Sequence, residues 1–168
     1  TPHGTPHFWV KDPYGNTFQV IESDNWFSKN SNDTGGVFGA IIGVTDIEKS
    51  IQFYKNILGY DTIEWQGEGN FDDLTPLNPK KHQYKRVILS HSKNRKGSFS
   101  QLLGASQIEL IQNLTETGKN IYQERYWGDL GFIHLCFDVV GMEALREECK
   151  EAGHPFTVDS ANSFDMGE

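Results

Sequence analysis

Hydrophobic and polar residues alternate along 131–139, and a period of two residues is typical of a half-covered β-strand. The apolar face comprises Ile133, Leu135, Phe137 and Val139, and the polar face comprises His134, Cys136 and Asp138. We therefore expect a buried strand here. Its polar face would meet water, a cleft or a metal, while Cys136 would be a small buried thiol.

A matching pattern lies about 95 residues upstream, over 37–44, with Gly39 in the place of His134. A helical pattern and then a glycine follow each strand, Gly59 in the first copy and Gly153 in the second. Glycine after a helical stretch is typical of a left-handed C-cap. The chain therefore contains an internal repeat.

The first helix is predicted from Thr45 to about Leu58. Thr45 and Glu48 have the spacing of a capping box. One face carries apolar side chains at helical spacing, namely Ile47, Ile51, Tyr54 and Leu58. The second helix is predicted over 141–152.

Further strands complete the pattern on both sides of the repeat. They are predicted over 60–65, 83–90, 106–112 and 154–158, with a hairpin over 7–22 whose turn is 12–16. The first copy is thus β-α-β-β-β, whereas the second has only β-α-β. The N-terminal hairpin supplies the missing strands, so one of two modules would be built from both ends of the chain.

This organisation leaves three arrangements open: a circular permutation, a swap between two copies, and a fragment of a longer multi-module protein. We favour a fragment or a permuted chain. The predicted segments are a closing β-hairpin (1–24), a linker (25–36), a complete module (37–112), a connection (113–130) and the opening β-α-β of the second module (131–168).

Composition narrows the class of protein. The 168 residues include 36% hydrophobic and 12% aromatic residues, and the net charge is −8. The acidic balance without a dense basic face argues against nucleic acid as a partner. No apolar run has the length of a membrane span. Two cysteines make no disulfide framework, so we expect a cytoplasmic protein.

Several of these stretches resemble a known family. Residues 44–54 with 57–60 resemble the start of a module of the vicinal oxygen chelate superfamily, which includes glyoxalase, bleomycin-resistance proteins and extradiol dioxygenases. Residues 12–16 and the strand after them resemble its closing hairpin, and 107–110 its last strand. The resemblance implies an α+β fold in which paired β-α-β-β-β modules curve around a central cleft.

In this family the cleft often holds a divalent metal, with ligands from the first and last strands of each module. The matching positions are His134, Glu109, Gln19 and Gly39. Gly39 has no side chain to ligate, and Gln19 stands where Glu is commoner. The resemblance therefore implies a metal site of His134, Glu109 and Gln19, holding Zn, Ni, Mn or Fe.

Alternation within the strands also puts Glu109 and Gln19 on faces that can converge with His134. An imidazole, a carboxylate and an amide oxygen suit such metals, and open positions would allow Lewis-acid chemistry. Glu109 would also be the catalytic base. The alternative is that Glu109 and His134 hydrogen-bond each other in a wet cleft.

The candidate substrate-binding residues are Arg86 and Tyr84. They share one face of their strand, which mixes polar and apolar side chains, whereas Lys85 between them lies on the other face. The basic loop 93–97 would either hold an anionic substrate group or be solvated.

Two functions follow. One is a metal-dependent enzyme, similar to lactoylglutathione lyase or to a dioxygenase, that acts as a lyase, isomerase or dioxygenase on a small vicinal-oxygen substrate. The other is a metal-free protein that sequesters a small ligand, as bleomycin-resistance proteins do. A third possibility is an inactive portion of a longer multi-module protein. A homodimer through module pairing or swapping is compatible with each.

Overall fold

The computed structural model describes residues 1–24, 35–97, 99–100, 105–126 and 128–158. Most of the predicted linker 25–36 lies outside these ranges. The chain divides into two compact units, Thr1–Cys136 and Phe137–Glu168. Each unit is described by itself.

The fold is mixed α+β. The first unit contains β1 (His7–Lys11), β2 (Thr17–Ile21), β3 (Gly39–Gly43), α1 (Ile47–Leu58), β4 (Thr62–Gly69), a 3₁₀ helix (Asp72–Leu74), β5 (Tyr84–Ser90) and β6 (Gln107–Asn113). The second unit contains α2 (Met142–Glu151). From β3 to β6 the elements follow the predicted β-α-β-β-β order.

Four strands form one sheet in the order β3-β6-β5-β4, in which β3 runs parallel to β6 and the other pairs are antiparallel. Helix α1 packs on one face of this sheet. The core between them consists of Ile47, Ile51, Tyr60, Val87, Leu89, Ile108 and Leu110. Burying each large aliphatic side chain is worth about 1.5–3 kcal/mol, so this face holds the unit together.

Both ends of α1 are capped, and one prediction about them is wrong. The N-cap is Asp46 and not Thr45, because the Asp46 carboxylate accepts a hydrogen bond from the Lys49 backbone N–H at 3.1 Å. This bond also lowers the pKa of Asp46. The predicted C-cap is confirmed, since Gly59 has the left-handed φ of 69°.

The hairpin β1–β2 is antiparallel, and its predicted turn is confirmed. The Asp12 carboxylate accepts hydrogen bonds from the backbone N–H groups of Tyr14 and Asn16, while Gly15 has a φ of 92°. One face of the hairpin is half-buried and includes Trp9 and Gln19. The other face is exposed and apolar, with Phe8, Val10, Phe18 and Val20. The Phe18 ring contacts the Phe132 ring edge to face, at 5.5 Å between centroids.

The predicted strand over 131–139 is not found. These residues take part in neither of the two described sheets, and nearly all of their side chains are exposed. Cys136 is exposed rather than buried. Alternation states which side chains would share a face, but a strand also needs a neighbour for its backbone hydrogen bonds. The predicted strand over 154–158 is absent from the described residues for the same reason.

In the second unit, α2 starts after Gly141, which has a φ of 82° and offers no capping side chain. Its C-cap is Ala152, so the predicted cap, Gly153, lies one residue further on with a φ of 78°. Cys149 is buried. The Arg146 guanidinium lies over the Phe156 ring at 5.0 Å.

The two edges of the four-stranded sheet differ. Edge strand β4 carries Glu64 and Glu68 and has a register irregularity between Ile63 and Trp65. Such charges and irregularities discourage pairing with another strand. Edge strand β3, with the sequence GAIIG, has neither. None of the helices in the described ranges is long and apolar enough to span a membrane.

Candidate functional site

A buried arginine lies on the sheet face opposite α1. Arg86 is 0% exposed, and its Nε donates to Glu109 Oε1 at 2.6 Å. Its two terminal nitrogens donate to the two carboxylate oxygens of Asp73, at 2.7 and 2.9 Å. This two-pronged geometry is the strongest that an arginine makes with a carboxylate. We call Arg86, Asp73 and Glu109 the Arg86 cluster.

Sheet register brings the first pair together. Arg86 lies opposite Ile111 on β6, and Glu109 lies opposite Ile88 on β5. Arg86 and Glu109 are therefore diagonal neighbours on one face, within reach of long side chains. The strand alternation that puts Val87 in the core directs Arg86 to the opposite face. Asp73 arrives from the 3₁₀ helix after β4.

Aromatic side chains cover the guanidinium. The Phe71 ring lies 4.7 Å from Arg86 Cζ, and Trp65 meets Phe71 edge to face at 5.8 Å. A Cβ at Gly67, opposite Arg86 on β4, would lie 2.6 Å from the Trp65 ring. From the hairpin, Trp9 Nε1 donates to the Asp73 carbonyl oxygen at 2.8 Å. The cluster is thus enclosed by β1, β4 and the 3₁₀ helix.

Burial governs the electrostatics of this cluster. Burial raises the pKa of Glu109, and the neighbouring Arg86 guanidinium opposes that rise without cancelling it. Two carboxylates face one guanidinium, so removing Arg86 would leave two carboxylate charges that water cannot reach. The cluster therefore behaves as a unit.

The structure places the sequence-predicted residues as follows. Arg86 and Glu109 are in contact, and Lys85 pairs with Glu48 on the helix side, as alternation predicts. Tyr84 is buried on the same face as Arg86, and its hydroxyl accepts a hydrogen bond from Asn78 Nδ2 at 3.2 Å.

The other two predicted metal ligands belong to other segments of the chain. His134 is exposed within 131–139. Gln19 is half-buried on β2, and its Nε2 is buried without a hydrogen-bond partner among the described residues. The described polar contacts of the Glu109 carboxylate run to Arg86, and the alternative hydrogen bond between Glu109 and His134 stays a prediction.

The donors present do not fit a divalent metal at Glu109. Its Oε1 accepts a hydrogen bond from Nε of Arg86 at 2.6 Å and lies 2.6 Å from a terminal nitrogen of the same guanidinium. Across the described ranges, no three His, Cys, Asp or Glu side chains come together as a metal site. The set of His134, Glu109 and Gln19 stays a prediction.

Sequence reasoning missed Asp73 and Phe71, which lie in the loop between predicted strands. A usable signal existed, because an arginine on a strand buried on both faces needs a carboxylate partner. Asp72 and Asp73 are the adjacent acidic residues nearest in sequence before β5. Only the fold tells which of them reaches Arg86.

The basic loop has a structural contact instead. Arg95 donates to the carbonyl oxygen of Leu58 at 2.6 Å, where a cation complements the C-terminal end of α1. Beside it, His91 Nδ1 lies 2.6 Å from the Gly59 carbonyl oxygen, and its ring stacks on Tyr60 at 3.9 Å. These contacts stabilise the helix end.

Comparison with known proteins gives one family. A model described as the glyoxalase/bleomycin resistance protein/dioxygenase superfamily matches residues 40–165, which is most of the chain. The match includes Arg86, Glu109 and His134, and it begins after the hairpin β1–β2. A search of curated proteins found no match.

Proposed function

Because the chain belongs to the glyoxalase/bleomycin resistance protein/dioxygenase superfamily, we propose that it binds and sequesters a small oxygenated molecule without a metal at Glu109. The observation that carries this proposal is the 2.6 Å contact between Arg86 Nε and Glu109 Oε1. A general base or metal ligand must offer a free lone pair to its target. Glu109 instead offers Oε1 to both Nε and a terminal nitrogen of a buried guanidinium, which leaves only Oε2 for another partner.

Two hydrogen-bond donors support the choice of an oxygenated ligand. The Tyr84 hydroxyl accepts from Asn78, which leaves its own hydrogen to donate to a ligand. The Gln19 amide nitrogen is buried without a partner among the described residues. An unsatisfied buried donor costs about 1–3 kcal/mol, which a ligand oxygen would recover. In this proposal Arg86 is a positioning residue, since its nitrogens already donate to Asp73 and Glu109.

We also propose that the chain pairs with a second copy or a second module through β3. The uncharged GAIIG edge has its outer backbone groups unpaired within the described sheet. Val37, just before it, is 85% exposed. The contact between Phe18 and Phe132, both in the first unit, supports the idea that the hairpin packs against the start of the segment 131–168.

A metal-dependent lyase, isomerase or dioxygenase is the second candidate. Burial raises the pKa of Glu109, and a raised pKa is what a carboxylate needs to act as a base near neutral pH. His134, the other predicted ligand with a titratable side chain, lies on an exposed segment. In this alternative, Arg86 would release Glu109 during turnover.

The test is a binding screen with small oxygenated molecules, read out by thermal shift and then by calorimetry, with and without EDTA. We expect a ligand whose affinity is unchanged by EDTA and falls about tenfold, about 1.4 kcal/mol, in Tyr84→Phe. Tyr14→Phe is the matched control, because Tyr14 is exposed at the hairpin turn. Turnover that EDTA abolishes would establish the enzyme instead.

A further inference from the structure

We infer that Arg86 takes the place of a metal cation in this chain and keeps Asp73 and Glu109 closed to divalent ions. This inference rests on the proposed function, because it concerns the same site. It states why the site would be metal-independent, and it adds that removing the guanidinium would open a metal site.

The first support is the way the carboxylates are used. The Asp73 carboxylate accepts two parallel hydrogen bonds from the terminal nitrogens of Arg86. Glu109 accepts a hydrogen bond from Nε of the same guanidinium. A divalent ion prefers carboxylate oxygens of this kind, gathered at one point. Three oxygens that would gather around an ion, both of Asp73 and Oε1 of Glu109, contact Arg86 instead.

The second support is that this cation cannot leave. Arg86 is attached to the central strand β5, and its side chain is fully buried. Phe71 covers the guanidinium, and Trp9 holds the Asp73 backbone from the hairpin side. An arginine stays charged at all ordinary pH values, so neither deprotonation nor exchange with solvent ions frees the carboxylates.

The third support is Gly39, on the first strand of the repeat. A Cβ there would lie 2.1 Å from the backbone oxygen of Gln107, so the strand approaches β6 too closely for any side chain. The β3 position that matches His134 therefore cannot supply a donor to the sheet face that carries Glu109.

The experiment titrates the full chain with Mn²⁺ alone and follows binding by electron paramagnetic resonance. We expect no wild-type binding that depends on Glu109. Arg86→Met replaces the guanidinium with an uncharged side chain that is also long and unbranched. It should raise Mn²⁺ affinity by about tenfold or more, and the double variant Arg86→Met/Glu109→Gln should lose that gain.

Lys85→Met is the matched control. Lys85 is the adjacent residue on the same strand, and it makes a partly exposed ion pair with Glu48 on the opposite face. The same change of charge there should leave Mn²⁺ binding at the wild-type level. Circular dichroism of each variant verifies that it is folded.

Wild-type protein alone can overturn the inference, so the test survives if Arg86→Met does not fold. Bound Mn²⁺ broadens the NMR signals of nearby residues, and selective broadening at Glu109 in the wild type would show that Arg86 does not exclude the ion. A folded Arg86→Met that gains no affinity would also contradict it. No organic ligand is present, so a failure of the binding screen leaves this result unaffected.

Discussion

A Cβ atom at Gly39 would lie 2.1 Å from the carbonyl oxygen of Gln107, its register partner on β6. Real side-chain carbons do not approach a backbone oxygen so closely. In the internal repeat Gly39 matches His134, and the structure gives a packing reason for the missing side chain. The glycine allows the parallel pair β3–β6 to form at this separation.

Replacing Gly39 with alanine should therefore destabilise the fold by about 1–3 kcal/mol, the usual cost of overpacking. Gly43→Ala is the control, since a Cβ at Gly43 meets nothing within 4 Å on the same strand. Urea unfolding of the two variants measures the difference. Equal stabilities would mean that the β3–β6 spacing relaxes without cost.

Glu109→Gln should lower the free energy of unfolding by about 1.5 kcal/mol, because the charge-assisted hydrogen bond from Arg86 Nε becomes a neutral one while Asp73 still balances the guanidinium. Glu48→Gln removes the partner of Lys85 in a partly exposed pair and should cost less than about 1 kcal/mol. Denaturant unfolding compares the two variants. If Glu109→Gln is as mild as Glu48→Gln, the Arg86 cluster does not act as a unit.

His91 should make stability depend on pH. Burial lowers the pKa of His91 below its ordinary value of 6.5, and the charge of Arg95 adds to this. Between the lowered pKa and 6.5 the unfolded chain binds more protons, so stability rises with pH across that window and is level above it. Unfolding at several pH values should show this slope in the wild type, and His91→Gln should lack it.

Asp61 should also make stability depend on pH, but here hydrogen bonding rather than burial shifts the pKa. Hydrogen bonds from the Ser92 hydroxyl and backbone N–H lower the pKa of Asp61 from 3.8 to about 2. Its contribution to stability is complete above pH 3.8 and is lost as the pH falls toward 2. Ser92→Ala removes the hydroxyl and should raise the pKa of Asp61, as measured by ¹³C NMR of the carboxyl carbon. An unchanged pKa would rule out the hydroxyl as its cause.

The sequence was sufficient where local chemistry decides the structure. Gly59 ends α1 because the left-handed cap suits glycine, and the Asp12 turn closes the hairpin through its own carboxylate. The order of elements from β3 to β6 follows from the same kind of pattern. These features depend on residues a few positions apart.

The sequence was not sufficient where contacts between distant residues decide the structure. Alternation put Arg86 and Glu109 on the right faces, but only the β5–β6 register makes them diagonal neighbours. Asp73 reaches them from a loop whose path has no sequence pattern. The segment 131–139 has a strong strand pattern and yet forms no strand in the described structure, because pairing is a property of two segments.

The unequal edges of the four-stranded sheet have a consequence for assembly. Strand addition requires a receptive edge on each participant, and of the two edges of this described sheet β3 alone is receptive, since β4 carries Glu64 and Glu68. Two copies that meet through β3 use up both receptive edges, so growth stops there. In the proposed pairing through β3, the acidic residues of β4 would keep the dimer from becoming the seed of a fibre.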